Sequence, residues 1–216
     1  MLILQFKDNI GLIIPWLCAL VIAITIHEFS HGFVAYELGD DTAERAGRLT
    51  LNPLAHLDVI GSIMLLLVGF GWAKPVPINP FLIKKGRLGR FLVSVAGIFS
   101  NVIIAILGVL ALKILLSYGQ LDQSNYLIKF LAFICYINIA LFIFNLIPIA
   151  PLDGYRMVES FAPRFFERYA LFIERWGFII LLALVFLTNI IGGLIGLSVG
   201  LFSALSGVNI FYLVAG

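Results

Sequence analysis

Residues 10–35 read IGLIIPWLCALVIAITIHEFSHGFVA, an apolar run in which ionisable side chains occur only near the end. A helix needs roughly 20 apolar residues to cross the hydrocarbon core of a bilayer, so this run predicts a first membrane-spanning helix. His27, Glu28 and His31 lie within it, and ionisable side chains at such depth are costly unless they face a polar cavity or bind an ion. The stretch therefore predicts a membrane helix and a polar site inside it.

The rest of the chain is equally apolar. Of its 216 residues, 62% are hydrophobic and only 12% are charged, and the mean hydropathy is +1.08. A soluble domain of this length could not cover so much apolar surface. Further apolar runs occupy about residues 91–117, 127–149 and 176–215, and the last is long enough for two crossings with a break near residues 188–193.

We therefore expect an all-α membrane protein, a polytopic bundle of about five to six transmembrane helices in one domain. A catalytic core over about residues 10–160 would be followed by a C-terminal helix pair over about residues 171–215. In that pair Gly192, Gly196 and Gly200 are spaced by four, which places small residues on one helix face and favours close helix packing. The net charge of +2, with no basic patch interleaved with aromatic residues, excludes a nucleic-acid surface.

One apolar segment, residues 59–73, is too short for an ordinary span. Glycines and prolines bracket it, and the preceding stretch GRLTLNP at residues 47–53 is typical of a short extended piece ended by proline. We expect a re-entrant or short β-like, membrane-associated loop after the first helix.

The motif His27-Glu28-Phe29-Ser30-His31 carries the chemistry. Positions i and i+4 share one helix face, so both imidazoles can reach a single ion, while Glu28 can point at the open side of that ion. This HExxH arrangement is typical of zinc hydrolases, in which the glutamate is the general base. The alternative is a chance match, with both histidines hydrogen-bonded in a helix interface, but three ionisable groups within a membrane helix favour the metal site.

Two histidines do not complete a catalytic zinc site, which usually has three protein ligands and a water. His56 and Asp153 are the remaining candidates. Asp153 follows a proline-broken segment, Asn145-Leu-Ile-Pro-Ile-Ala-Pro-Leu-Asp-Gly154, and irregular backbone at membrane depth is tolerated only when it is buried in protein or lines a cavity. A carboxylate at such a break is a good ligand position.

These two motifs, HExxH and Leu152-Asp153-Gly154, together resemble those of the site-2 proteases, the intramembrane zinc metalloproteases, in a compact form without a PDZ or CBS domain. A third feature of that family reads Gly97-Ile-Phe-Ser-Asn101 here, with isoleucine in place of a proline, and Ala150 stands where a further proline is common. The resemblance covers roughly residues 20–160.

The resemblance implies that His27, His31 and Asp153 bind one Zn²⁺ per chain and that Glu28 activates the water. It also implies a substrate-binding role for Asn145 and for the extended stretch around Asn52, with Asn101 and His56 as further candidates. The role of His56 stays open, since it could equally be a polar group near the interface. The implied activity is hydrolysis of peptide bonds in membrane-spanning substrates.

The metal site also constrains the topology, because an even number of crossings must separate His31 from Asp153 if both are to reach one ion. Residues 91–117 and 127–149 supply two, so residues 59–73 should enter and leave from one face. Lys and Arg concentrate in residues 36–90 and in the polar stretch before the C-terminal pair, so the positive-inside rule places the active site toward the cytoplasm.

A multi-pass protein of a prokaryotic plasma membrane is the expected setting, because the chain is short and lacks targeting signals. Its expected partners are the lipid bilayer, a transmembrane protein or peptide substrate, and an accessory membrane protein or a second copy. The rival interpretation is a membrane metal carrier or a non-catalytic metal-binding protein that uses the same His and Asp side chains. A carrier would need a polar path across the whole bilayer, yet residues 176–215 carry no charge.

Overall fold

The computed structural model describes residues 6, 9–118 and 121–215, and helices make up its regular structure. Two 3-10 turns, Ile10–Leu12 and Pro53–Ala55, accompany the α-helices. In chain order the α-helices of the described residues are α1 (Ile13–Glu37), α2 (Thr42–Arg45), α3 (Val59–Val68), α4 (Gly86–Tyr118), α5 (Tyr126–Asn145), α6 (Asp153–Phe161), α7 (Pro163–Leu187), α8 (Ile190–Ser206) and α9 (Ile210–Ala215).

Helices α1, α4 and α5 pack against one another and form the centre of the fold. Ala19 and Ala23 of α1 are fully buried and pack with Phe133 and Ile137 of α5, so small side chains on one helix admit large ones from the next. The short helix α6 lies against α4, while α8 and α9 cover the other side of α5. This arrangement brings the end of α1 and the start of α6 to the same face of α4.

The expected all-α membrane bundle is confirmed. Among the described residues four helices, rather than the expected five to six, are long and apolar enough to cross a membrane, namely Ile10–Glu37, Gly86–Ser117, Tyr126–Asn145 and Tyr169–Leu187. A helix that is apolar all round is stable only in a protein core or in lipid, so the chain is a membrane protein.

The C-terminal pair differs from the prediction in its bounds. Helix α7 begins at Pro163, well before residue 171. The prediction started too late because charged residues lower the hydropathy of the first turns of this helix. The break between α7 and α8 lies at Thr188 and Asn189, inside the predicted interval. Helix α8 is 17 residues long, below the length of an ordinary span, and in the described chain nothing approaches the Cβ positions of its stripe Gly192, Gly196 and Gly200.

Residues 59–73 return to the point where they begin, as the metal geometry requires. Helix α3 is capped by the Asp58 carboxylate, which accepts from the Gly61 N–H at 2.8 Å, and it ends at Gly69 with φ of 82°. The chain then folds back until Ala73 forms an isolated antiparallel bridge with Leu57. The returning segment touches α3 so closely that a Cβ on Gly71 would lie 2.7 Å from the Leu65 Cβ.

The β-like element is smaller than predicted. In the described residues no strand is assigned, and the stretch 47–53 consists of a turn and bends rather than an extended piece. Proline and the 3-10 turn Pro53–Ala55 explain this, since Pro53 cannot donate to a ladder and the Asn52 side chain caps the turn by accepting from the Leu54 N–H at 3.1 Å. Residues 74–79, after the bridge, form neither helix nor turn, and the prolines at positions 75 and 77 favour an extended backbone there.

Candidate metal centre and active site

Three metal-ligating side chains converge where α1 meets α6. His27 and His31 project from the same face of α1, and their Nε2 atoms lie 3.1 Å apart. Asp153 is the first residue of α6, and its Oδ2 lies 3.1 Å from His27 Nε2 and 3.0 Å from His31 Nε2. Both histidines are buried. The i, i+4 spacing and the proline-broken segment before Asp153 thus bring together the residues that the sequence singled out as ligands.

The far nitrogen of each imidazole is held by the protein. His31 Nδ1 lies 2.7 Å from the Val93 carbonyl oxygen, which can only accept, so this nitrogen carries the proton. His27 Nδ1 lies 2.7 Å from Asn101 Oδ1, and the amide nitrogen of Asn101 donates to Asn138 Oδ1 at 2.8 Å, so Oδ1 is again the acceptor. Both imidazoles therefore turn the lone pair of Nε2 toward Asp153.

This donor set fits a zinc ion. Two imidazole lone pairs and one carboxylate oxygen face a common point, where three acceptors can be satisfied together only by a cation or by added protons. Histidine and carboxylate ligands lie about 2.0 to 2.2 Å from Zn²⁺, so tetrahedral ligand atoms stand about 3.3 to 3.5 Å apart. The observed separations of 3.0 to 3.1 Å are within a few tenths of an ångström of that triangle.

The carboxyl group of Asp153 stays ionised at neutral pH. Burial alone would raise its pKa, but an added proton on His31 or His27 would hold the pKa well below the usual range through charge and hydrogen bonds, and a cation at the same point would act in the same direction.

Helix α4 approaches the two imidazoles at Gly97. A Cβ at this position would meet His31 Nε2, and it would lie 2.7 Å from His27 Cε1 and 2.8 Å from His31 Cε1. Only glycine leaves room for both rings, which is the physical reason for glycine in the Gly97–Asn101 motif. Asn101 follows one turn later on the same face.

A chain of buried amides stands behind His27. Asn101 and Asn138 are both 0% exposed, and the Asn138 amide nitrogen donates in turn to the Ile134 carbonyl at 2.8 Å. Asn101 was expected among the substrate-binding residues, but its side chain points into the α1/α4/α5 interface and reaches His27 instead. An amide in this position can orient a ligand and cannot meet a substrate.

Glu28 lies beside the ligands, and its Oε2 accepts from the Val76 N–H at 2.9 Å. The donor belongs to the extended segment that follows the re-entrant loop, and the Val76 side chain packs onto Gly32, one turn after Glu28. A carboxylate held through one oxygen keeps the other free for proton transfer.

The other predicted substrate residues lie elsewhere. His56 is fully buried with its Nε2 2.8 Å from the Thr50 carbonyl oxygen, so it ties the loop after α2 together and does not join the ligand cluster. Asn52 is exposed and caps the Pro53–Ala55 turn. Asn145, at the end of α5, donates to the Leu141 carbonyl at 3.1 Å and is partly exposed near the break that leads to Asp153.

Sequence reasoning missed Asn138, the Val93 carbonyl and the Val76 N–H. Asn138 had a signal, since it is a polar side chain inside an apolar helix, two turns before Asn145 on the same face. The backbone groups had none, because any residue supplies a carbonyl and almost any supplies an N–H.

Comparisons with known proteins point to a family of peptidases. The signature of peptidase family M50 matches residues 109–188. The candidate zinc metalloprotease YwhC of Bacillus subtilis (strain 168) is 44% identical over 176 residues, which is 80% of each chain. Two proteins named as candidate zinc metalloprotease Rip2 are also similar: that of Mycolicibacterium smegmatis is 28% identical over 82% of this chain and 68% of its own, and that of Mycobacterium tuberculosis (strain H37Rv) is 27% identical over 92% and 76%. No solved structure matches the chain.

Proposed function

The chain belongs to peptidase family M50 and is a zinc-dependent peptidase, and we propose that it cuts membrane-spanning substrates within or beside the bilayer. We assign one Zn²⁺ per chain to His27, His31 and Asp153, and the role of general base to Glu28. The observation that carries the assignment is the convergence of two oriented imidazoles and one carboxylate within 3.1 Å of one another.

Zinc, when bound, supplies Lewis acidity that polarises a peptide carbonyl and makes water a better nucleophile at neutral pH. Glu28 would take a proton from the attacking water and return it to the leaving amine. The bonds to Val93 and Asn101 keep both imidazoles in the tautomer that a ligand needs, while the apolar bundle around them limits access of bulk water.

A substrate must reach this site in an extended form, because the backbone of a helix is closed to attack by its own hydrogen bonds. We propose that the unwound part of the substrate contacts Asn52, in the loop after α2, and Asn145, at the end of α5. Both side chains are accessible, and both belong to segments that adjoin breaks in helical structure.

The same proposal includes an orientation in the membrane. The segments that flank the site carry most of the Lys and Arg residues, whereas the connection at residues 118–126 has none. Under the positive-inside rule the site then faces the cytoplasm, in a multi-pass protein of a prokaryotic plasma membrane. An accessory membrane protein or a second copy would be a further partner.

The decisive experiment is Glu28→Gln in the full chain, reconstituted into proteoliposomes. Substrates crosslinked to this variant in native membranes would provide the transmembrane peptide for the assay. We expect the variant to retain zinc, measured as metal per protein, and to lose cleavage, while Glu37→Gln at the exposed end of α1 cleaves normally. Cleavage by Glu28→Gln would refute the assignment of the base, and cleavage that survives zinc chelation would favour the metal-carrier interpretation for the His and Asp cluster.

A further inference from the structure

An extended segment crosses Glu28 immediately after the re-entrant loop. It comprises residues 74–80, here called the strap, and prolines occupy its positions 75, 77 and 80. Proline has no N–H, so Val76 is the sole donor between Pro75 and Pro77. This N–H donates to the Glu28 carboxylate, with 2.9 Å between the Val76 nitrogen and Oε2.

The other end of the same peptide group is held by an arginine. Arg48 Nη2 donates to the Pro75 carbonyl at 3.2 Å and to the Lys74 carbonyl at 2.7 Å. The Pro75 carbonyl and the Val76 N–H form a single peptide unit, so Arg48 and Glu28 stand at its two ends. A guanidinium ion at the carbonyl draws electron density from the nitrogen, and this polarisation strengthens the N–H as a donor to the carboxylate.

We propose that Arg48 is a positioning residue for the general base, acting on Glu28 through the Pro75–Val76 peptide group. The inference rests on the proposed role of Glu28. Arg48 makes no ion pair in the part of the chain that the structure describes, so its charge is directed at these two carbonyls. Arg48 thereby holds the Pro75–Val76 peptide group, and the N–H of that group holds the Glu28 carboxylate.

The strap is built to keep this peptide in place. Proline restricts φ at positions 75 and 77, which limits rotation on both sides of Val76. The Lys74 N–H donates to the His56 carbonyl at 2.9 Å, and the Asn79 N–H donates to Asp40 Oδ2 at 2.6 Å, so both ends of the strap are anchored to other elements. Because the strap is rigid, a shift of the peptide group that Arg48 holds would also shift the N–H that binds Glu28.

A neighbouring arginine provides the matched control. Arg45 lies three residues earlier, and its side chain is 77% exposed and paired with Asp41 on the same turn. Arg45→Ala removes the same charge from the end of α2, three residues before Arg48, and leaves the strap untouched. Any effect of charge on protein stability or membrane association should appear in both variants.

The test compares cleavage of the captured transmembrane peptide by Arg48→Ala, Arg48→Lys and Arg45→Ala in proteoliposomes. We expect kcat of Arg48→Ala to fall roughly tenfold with KM and bound zinc unchanged, as the loss of a charged hydrogen-bond partner predicts. Because one nitrogen makes both bonds, Arg48→Lys should restore most of the kcat, and Arg45→Ala should match the parent. Equal kcat values for Arg48→Ala and Arg45→Ala, or loss of zinc in Arg48→Ala, would overturn the proposal.

A second measurement does not depend on catalysis. Arg48→Ala is made in the parent and in Glu28→Gln, and the four proteins are unfolded thermally with zinc present. If the peptide group couples the two side chains, Arg48→Ala lowers Tm more in the parent than in Glu28→Gln, where the acceptor is neutral. Equal shifts would overturn the coupling, whereas a parent protein that shows coupling but no cleavage would mean that the proposed function alone has failed.

Discussion

The two halves of the proposed active site are held in different ways. The ligand half, His27, His31 and Asp153, lies inside the helix bundle and is fixed by groups that are fully buried, such as Asn101 and Asn138. The base half, Glu28, is held from outside the bundle by the strap and the loop that carries Arg48.

Because of this difference, we expect that the positions of the zinc ligands and the position of the Glu28 carboxylate can be changed independently. Zinc affinity should depend on helix packing around α1, α4 and α5, because the orienting groups are side chains and carbonyls of those helices. The rate of proton transfer should depend on the strap, because the Val76 N–H fixes the carboxylate. Substitutions in the first half should change bound zinc, whereas those in the second should change kcat alone.

The largest effect is expected from Gly97→Ala. The new methyl group would displace both imidazoles, and a displacement of about 1 Å in a catalytic group costs on the order of a hundredfold in rate. We expect zinc binding and cleavage to be lost together, as measured by metal content and peptide hydrolysis. Gly196→Ala on α8, where a Cβ meets nothing, is the control and should retain both. Full zinc content and activity in Gly97→Ala would contradict the close approach of α4.

A smaller effect is expected from Asn138→Leu, which leaves the Asn101 amide without its acceptor and lets Asn101 turn away from His27. Loss of an outer-shell partner typically lowers metal affinity by about 10- to 100-fold. Competition with a chelator would measure this. Asn145→Leu on the same helix should leave zinc affinity unchanged and raise KM, since we place Asn145 against the substrate. An unchanged zinc affinity in Asn138→Leu would show that His27 needs no support from α5.

The smallest effect concerns the far end of the strap. Asp40→Ala removes the acceptor of the Asn79 N–H and of the Thr42 hydroxyl, and the strap loses one anchor. We expect kcat to fall roughly three- to tenfold with zinc content unchanged, because a small displacement of a catalytic group is already costly. Asp41→Ala, which removes only an exposed pair with Arg45, should be neutral. A loss of zinc in Asp40→Ala would break the proposed separation of the two halves.

Sequence reasoning reached the ligand half because its cues are local. Histidines four apart share a helix face in any α-helix, and a carboxylate after a proline-broken membrane segment is a good ligand position, which the resemblance of Leu152-Asp153-Gly154 to the site-2 protease motif then favoured over His56. The same reasoning placed Asn101 and His56 near substrate, whereas the structure buries both. The sequence does not show whether an asparagine side chain is buried or exposed, and only the packing of α4 against α1 shows that Asn101 is buried.

Apolar length and helical periodicity, read from the sequence alone, determined that the chain is a helical membrane protein and that His27 and His31 share one helix face, while the resemblance to the site-2 proteases implied Asp153 as the third side chain. They do so because a membrane admits few backbone structures and because an ionisable side chain in lipid must have a partner. Only the tertiary structure decided what surrounds those side chains. The decisive contacts join residues that are far apart in the chain, namely those of Gly97, of Asn138 and of Arg48 with Glu28 through the strap. Many of them use backbone groups, which do not depend on the residue type, so no spacing in the sequence could specify them.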